Sequence, residues 1–246
     1  MYELHELVTG VPAKSATHGG LGWSSVCLLE GHGRRVLVDT GPPVYIERLH
    51  RELEALGLSA GDITDLLVTH LHWDHVGNLT MFPNARVHLS PRELEWAAAQ
   101  RPGTVFIPDL QVALLDAHRD RIVPVEDGDR PLPDLAVIDA TGHTPGHLAY
   151  RAVTAAGAVI FAGDAVKNRN ELATGRSDSA LDHQASAATI GRLRHLLSED
   201  PAAVLVPGHD VRLAISDEAV TVLGRHAIDL TAFLDPAPTG APRRLL

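Results

Sequence analysis

The chain has 246 residues, 45% hydrophobic and 21% charged, which is ample for a sizeable core and too apolar for disorder. A net charge of −10 argues against a non-specific nucleic-acid binder, and no apolar run reaches the length of a membrane span. A single cysteine, Cys27, excludes an intramolecular disulfide framework and a thiolate zinc cluster, whereas fifteen histidines stand out.

The opening MYELHELVTG lacks the basic start and apolar block of a secretory signal, which predicts a cytoplasmic protein. Residues 24–30 and 34–40 are β-rich runs around Gly31-His32-Gly33 and predict a hairpin. Residues 42–56 carry apolar side chains at helical spacing and stop at Gly57. Strands are expected at 63–69 and 85–89, and a helix at 91–100 with proline at its first position. Further strands are predicted at 121–125, 135–140, 147–153, 158–162 and 203–206. Helices are predicted at 185–197 and, closing the chain, at 217–233. Segments 101–119 and 166–183 show no clear pattern, and long irregular segments are often lids. The alternation predicts an α/β fold of sheets covered by helices, organised as one domain over 1–246 with a flexible tail at 236–246.

The first predicted chemistry follows the strand at 63–69. Thr69-His70-Leu71-His72-Trp73-Asp74-His75 packs three histidines and an aspartate into six residues. On an extended segment His70, His72 and Asp74 would share one side, and a turn would swing His75 to a second point nearby. Imidazole and carboxylate suit zinc, iron and manganese. Three more signals sit at strand ends: Gly142-His143, Gly163-Asp164 and Gly208-His209. In each, glycine permits a tight turn and close backbone approach beside a ligand-type residue. The alternative, seven unrelated polar residues on loops, leaves their joint placement unexplained. Ser24 and Ser25 lie in no strained nucleophile elbow, so a serine hydrolase is not indicated.

These residues, in this order from Val38-Asp39-Thr40-Gly41 through His209, resemble the metallo-β-lactamase superfamily of metallohydrolases. The resemblance implies an αββα four-layer sandwich with two stacked mixed β-sheets and outer helices. It also implies two divalent transition metal ions, Zn2+ first among them with Fe or Mn as alternatives. His70, His72 and His143 would hold one ion, Asp74, His75 and His209 the other, with Asp164 bridging. Ions roughly 3.5 to 4 Å apart share a water and lower its pKa, giving hydroxide near neutral pH, with Asp74 orienting it and shuttling its proton. Asp39 matches a position that supports the metal loop; as an isolated residue it reads equally as a turn aspartate. His147 is expected beside the ligands rather than among them.

Three residues are candidates for lining the substrate site, each with a plainer reading beside it. Trp73 is a hydrophobic wall or core packing. Lys167, one of only two lysines with Lys14, greets an anionic group or is an exposed loop cation. His183 lines the mouth or sits on the surface. The resemblance favours the lactonase and general hydrolase branch, hence a small-molecule ester, lactone or thioester, with no nucleic acid or membrane as partner. The alternatives are a mononuclear-iron persulfide dioxygenase-like oxidoreductase, a phosphodiesterase on the same fold, and a non-catalytic binding protein. One departure stands out. Quorum-signal lactonases of the family place a tyrosine shortly after the bridging aspartate, where this chain has Ala165-Val166-Lys167 and no tyrosine beyond Tyr150. Dimers are common on the fold, so a homodimer is an open expectation, with 101–119 an interface or a lid.

Overall fold

Strands in which consecutive residues are all apolar are satisfied only when both faces of the sheet are covered. The computed structural model, which describes residues 1–226, Ile228 and the backbone of Thr231–Ala232 and Arg243–Arg244, meets that demand with four layers. The chain opens with β1 (Glu3–Val8) and a small ribbon of β2 (Lys14–Ser15) and β3 (Gly19–Gly20). It continues through β4 (Val26–Gly31), β5 (Arg34–Val38), β6 (Asp65–Leu67), β7 (Arg86–Leu89) and β8 (Ile122–Pro124). These form a six-stranded mixed sheet in the order β1-β4-β5-β6-β7-β8, with β5 to β8 mutually parallel.

The second sheet follows the same plan. It contains β9 (Leu135–Asp139), β10 (Leu148–Thr154), β11 (Gly157–Gly163), β12 (Val204–Pro207), β13 (Leu213–Ser216) and β14 (Ala219–Val222), in the order β14-β13-β12-β11-β10-β9. Alternate side chains separate cleanly. Cys27, Leu29, Val36, Val38, Tyr150, Val159 and Phe161 fill the space between the sheets. Their neighbours Leu28 and Leu37 face the helices of the first sheet, and Ala149 and Ile160 those of the second. The period-2 geometry of a strand sends adjacent residues to opposite faces, so each strand serves two cores at once.

The outer layers are helical. α1 (Ile46–Ala55), entered through a 3-10 turn at Pro43–Tyr45, packs Leu49 and Leu53 on the first sheet. α2 (Trp73–Val76) is a single turn within the histidine motif. α3 (Pro91–Ala98) and α4 (Asp109–Ala117) add Leu94, Ala97, Val112 and Leu115 to the same core. On the far side, α5 (Arg169–Thr174) and α6 (His183–Glu199) bury Leu172, Ile190, Leu193 and Leu197. Asp182 caps α6, its side chain accepting from the amides of Gln184 and Ala185 at 2.9 Å, which starts the helix two residues before the expected 185.

The expected αββα sandwich is therefore found, with local corrections. The helix expected at 217–233 is instead the hairpin of β13 and β14 at its start. Asp217 and Glu218 adopt φ of 50° and 63°, the left-handed pair that closes a two-residue hairpin. The apolar spacing there is shared by a half-buried ribbon and a helix, and the turn decides between them. The unpatterned segments 101–119 and 166–183 contain α4 and α5, and β1 and β13 carried no sequence expectation. The tail expectation for 236–246 falls, apart from the backbone of Arg243–Arg244, outside the described residues.

Strand directions assemble the site. β9 and β11 both run antiparallel to β10, and β12 runs parallel to β11. The chain following β9, β11 and β12, with His143, Asp164 and His209, therefore leaves the second sheet at one edge. The amide of Leu148 donates to the carbonyl of Thr69 at 2.9 Å, which ties that edge to the loop following β6.

Candidate metal centre

The loop after β6 is held by a carboxylate from β5's end. Asp39 sits at φ 54°, a conformation that aspartate tolerates better than most residues. Its Oδ1 accepts the Thr69 amide at 2.9 Å, and its Oδ2 accepts the Thr69 hydroxyl and His75 Nδ1, each at 2.8 Å. Asp39 is thus both the turn residue and the support for the metal loop. α2 then does what an extended segment could not. Its helical turn groups Asp74 with His75, while His70 and His72 share another set and His70 also meets His75 at Asp164, so the motif faces two adjoining points rather than one side with a single outlier.

Glu93 was not singled out by the sequence reading. This fully buried side chain on α3 accepts the Leu71 amide at 2.9 Å and the Gly146 amide at 3.0 Å. It locks the loop of His70 and His72 to the loop of His143 and His147. Burial pushes its pKa up to about 6, against the opposing effect of those backbone donors. Its sequence context, Pro91-Arg92-Glu93, reads as an ordinary helix start, so nothing in the chain marked it.

Three sets of side chains offer ligand atoms within 4.8 Å of one another: His70, His72 and His143; His70, His75 and Asp164; and Asp74, His75 and His209. Asp164 stands between the outer two sets. Its Oδ1 lies 3.2 Å from His75 Nε2 and 3.1 Å from His209 Nε2, while its Oδ2 lies 3.3 Å from His143 Nε2. The ring orientations are fixed from behind. Nδ1 of His70, His143 and His209 meets the Thr69 hydroxyl, the Ser179 carbonyl and the Trp23 carbonyl at 3.1, 2.9 and 3.1 Å. With Asp39 doing the same for His75, four histidines turn Nε2 inward; His72 instead presents Nδ1, 3.1 Å from His143 Nε2.

The atoms so presented fit metal ions and little else. His70 Nε2, His75 Nε2 and Asp164 Oδ1 are buried without a hydrogen-bond partner among the described residues. Buried polar atoms are rarely left so, and several converging at ligand separations is what a cation site requires. Burial pushes the pKa values of His70 and His72 well below the ordinary imidazole value, helped by neighbouring histidines, which keeps both rings neutral, as metal ligation requires. For His75 and His209, burial pulls the pKa down, but Asp164 with Asp74 outweighs it and raises both. Burial pushes Asp164 up, yet His209 and His75 hold it well below the usual carboxylate range. This half of the cluster favours positive charge.

Glycines make the approach possible. Gly163 has φ 50°, and a Cβ there would meet the Thr69 hydroxyl; a Cβ on Gly208 would run into Asp164 Oδ1. His147, stacked on His70 with ring centroids 4.7 Å apart, accepts the Asp164 amide on Nε2 at 3.1 Å. It therefore positions Asp164 and belongs to none of the ligand sets.

A cavity of about 390 Å³ opens onto the cluster and is lined by His72, Asp74, His143, Asp164 and His209. Trp73 and Lys167 line it too, as does Phe106, whose ring centroid is 5.5 Å from that of His72. Phe106 adopts φ 73°, a strained conformation for a bulky residue, and its carbonyl accepts the Trp73 amide at 2.9 Å. His183 is exposed at the start of α6 and lies outside the lining. No helix among the described residues is long and apolar enough to cross a membrane.

Comparison with known proteins agrees with this geometry. The model of the metallo-beta-lactamase superfamily matches residues 19–209. The Metallo-beta-lactamase domain-containing protein 1 of Homo sapiens is 33% identical over 208 residues, covering 81% of this chain and 67% of the human protein. A hydroxyacylglutathione hydrolase of Jannaschia sp. is 30% identical over 168 residues, covering 68% of this chain and 56% of that enzyme. Among solved structures, a dizinc quorum-quenching lactonase bound to a product superposes with a TM-score of 0.69 at 18% identity, over 83% of this chain and 80% of that one. At that identity the likeness speaks to the fold alone. With the family model spanning the histidine motif and every other proposed ligand, the chain belongs to the metallo-beta-lactamase superfamily.

Proposed function

We propose that this protein is a hydrolase that holds two divalent metal ions, zinc first and iron or manganese as alternatives, and cleaves a carboxylic ester, lactone or thioester in a small molecule. The observation that carries the reading is the placement of Asp164, one oxygen toward His75 and His209 and the other toward His143. A carboxylate between two ligand sets serves two ions and offsets their repulsion. Bound there, the ions would supply Lewis acidity and an ionised water at neutral pH.

The chain's own residues supply the rest. Asp74 faces the cavity, with Oδ2 3.4 Å from His209 Nε2, and so can hold a proton at the point where the acyl bond breaks. His70, His72 and His143 stay neutral through burial, and Asp39, Thr69 and Ser179 fix their loop or their rings. Trp73 and Phe106 offer an apolar wall for an acyl group. The relative named as a hydroxyacylglutathione hydrolase supports acyl chemistry over phosphodiester cleavage. The complete second set of Asp74, His75 and His209 favours two ions over a mononuclear dioxygenase-like centre or a binding protein.

Metal analysis of purified protein, followed by assay of lactones, thioesters, carboxylic esters and phosphodiesters, tests the reading. Two metals per chain and chelator-sensitive acyl hydrolysis are expected. One iron per chain, or hydrolysis that survives complete chelation, would overturn it.

A further inference from the structure

The chain contains nineteen arginines and two lysines, and among the described residues no arginine lines the cavity above the metal cluster. Both lysines do. Lys14 comes from β2, on the ribbon beside the cavity, and Lys167 from the segment after Asp164. They converge on one carboxylate: Asp178 lies 3.7 Å from Lys14 Nζ and 3.3 Å from Lys167 Nζ. Asp178 lines the cavity as well, and unlike Asp74 and Asp164 it takes no part in the ligand sets.

The two lysines are held differently. Lys167 is 12% exposed, and its ammonium donates to Glu171 Oε1 at 3.2 Å, Ser177 Oγ at 3.2 Å and the Ser179 carbonyl at 2.9 Å. Those acceptors use its three protons, so it is a fixed cation that also steadies the carbonyl receiving His143 Nδ1. Lys14 is 76% exposed, and Asp178 is its one ion-pair partner among the described residues. The backbone of Asp178 is anchored separately, its amide donating to Glu171 Oε1 at 2.9 Å. Its carboxylate, 46% exposed, can rotate away while the chain stays in place. A half-exposed pair at 3.7 Å contributes little and is displaced at little cost.

We infer that Asp178 occupies, from within the chain, the seat of a substrate carboxylate, so that the preferred substrate is an ester, lactone or thioester carrying a second, anionic carboxylate that docks between Lys14 and Lys167. This rests on the hydrolase reading above and narrows its substrate class. The exchange conserves charge: one carboxylate leaves the two ammoniums and another takes its place. Trp73 and Phe106, beside His72, line the same cavity as Lys167, which is linked through Ser179 to His143. A cavity lined by both apolar and cationic side chains selects a molecule that carries both an apolar and an anionic part.

Having only two lysines makes the test clean. The metal-loaded full chain is acetylated with an N-hydroxysuccinimide ester, and modification of Lys14 is followed by mass spectrometry with monoethyl glutarate or neutral diethyl glutarate present. Separately, kcat/KM is measured for 4-nitrophenyl hydrogen glutarate against 4-nitrophenyl butyrate. Protection of Lys14 by the monoester alone is expected, with at least tenfold preference for the anionic ester. Lys14→Met should lower that preference about tenfold, Lys14→Arg should largely restore it, and Asp178→Asn should raise it severalfold. Equal protection by both esters, or a preference that Lys14→Met leaves within twofold, overturns the inference. Protection without turnover of any ester, lactone or thioester of the panel above would keep the carboxylate seat and refute the hydrolase reading; turnover of both esters without preference would do the reverse.

Discussion

Asp39 and His75 are 36 residues apart in sequence, and Asp39 Oδ2 lies 2.8 Å from His75 Nδ1, with both side chains buried. The same carboxylate holds the amide and hydroxyl of Thr69, so one residue orients His75 and anchors the loop that carries His70 and His72. Asp39→Asn tolerates the left-handed backbone but cannot accept all three donors. It should weaken metal affinity about 10- to 100-fold, as removal of such supporting partners does. Chelator competition on the folded variant measures this, and unchanged affinity would remove Asp39 from the site.

Asp164 makes a different kind of contribution. Asp164→Ala deletes the only carboxylate among the described residues that reaches both His143 and His209, and His143→Ala deletes a proposed ligand of the first set. Both should abolish turnover while leaving far-UV circular dichroism near that of the parent. The loss of a carboxylate that sits among buried histidines should also reduce bound metal by at least one ion per chain.

Glu93 predicts a pH effect with a definite sign. Its folded pKa, raised by burial to about 6, exceeds the ordinary value of 4.5, so between those values the native state binds more protons than the unfolded one. Stability from this group therefore falls as pH rises from about 4.5 to 6, by about 2 kcal/mol in all. Glu93→Gln removes the titration and turns an amide donor toward one of the two backbone amides. Urea unfolding should show a lower stability by about 1 to 3 kcal/mol at pH 7 and a flatter dependence between pH 4.5 and 6.

Away from the metal centre, Asp65 and Asp210 set the acid limit. Burial works to raise both, but hydrogen bonds outweigh it. Those come from His88, Thr64 and Arg34 at Asp65, and from Arg169, the Val211 amide and His226 at Asp210; each carboxyl is held at about 2. A depressed carboxyl pKa gives stability that is complete above about 3.8 and lost as pH falls through about 2, roughly 2 kcal/mol for each group. Asp65→Ala would strand the buried His88 and should cost about 3 kcal/mol, near 10 °C in Tm for a chain of this size. A Tm within 2 °C of the parent would show that the network contributes nothing net.

Much of this molecule was legible in its sequence because the signals are local. Each strand that precedes a site residue is a short apolar run, and the site residues follow it: Asp39, His70, His143, Asp164 and His209 all sit just past a strand end. The hairpin of β4 and β5 and the helices α1, α3 and α6 lie close to their expected spans. Where the reading failed, the information was not local. The hairpin at 213–222 has apolar spacing that a helix could share, and only the left-handed pair Asp217 and Glu218 resolves it. Glu93 sits in an unremarkable helix start, and its role exists only because Leu71 and Gly146 arrive on either side of it.

The sequence by itself determined the ligand types, their order along the chain and the layered fold, because residue chemistry and strand periodicity are written in consecutive residues. Tertiary structure alone decided how the ligands divide and what surrounds them. α2 groups Asp74 with His75 beside the set of His70 and His72, Asp164 directs one oxygen to each side, and Lys14 and Lys167, 153 positions apart in the chain, meet at Asp178. Those relationships depend on directions in space, and directions are fixed only when two sheets pack and their loops meet at one edge.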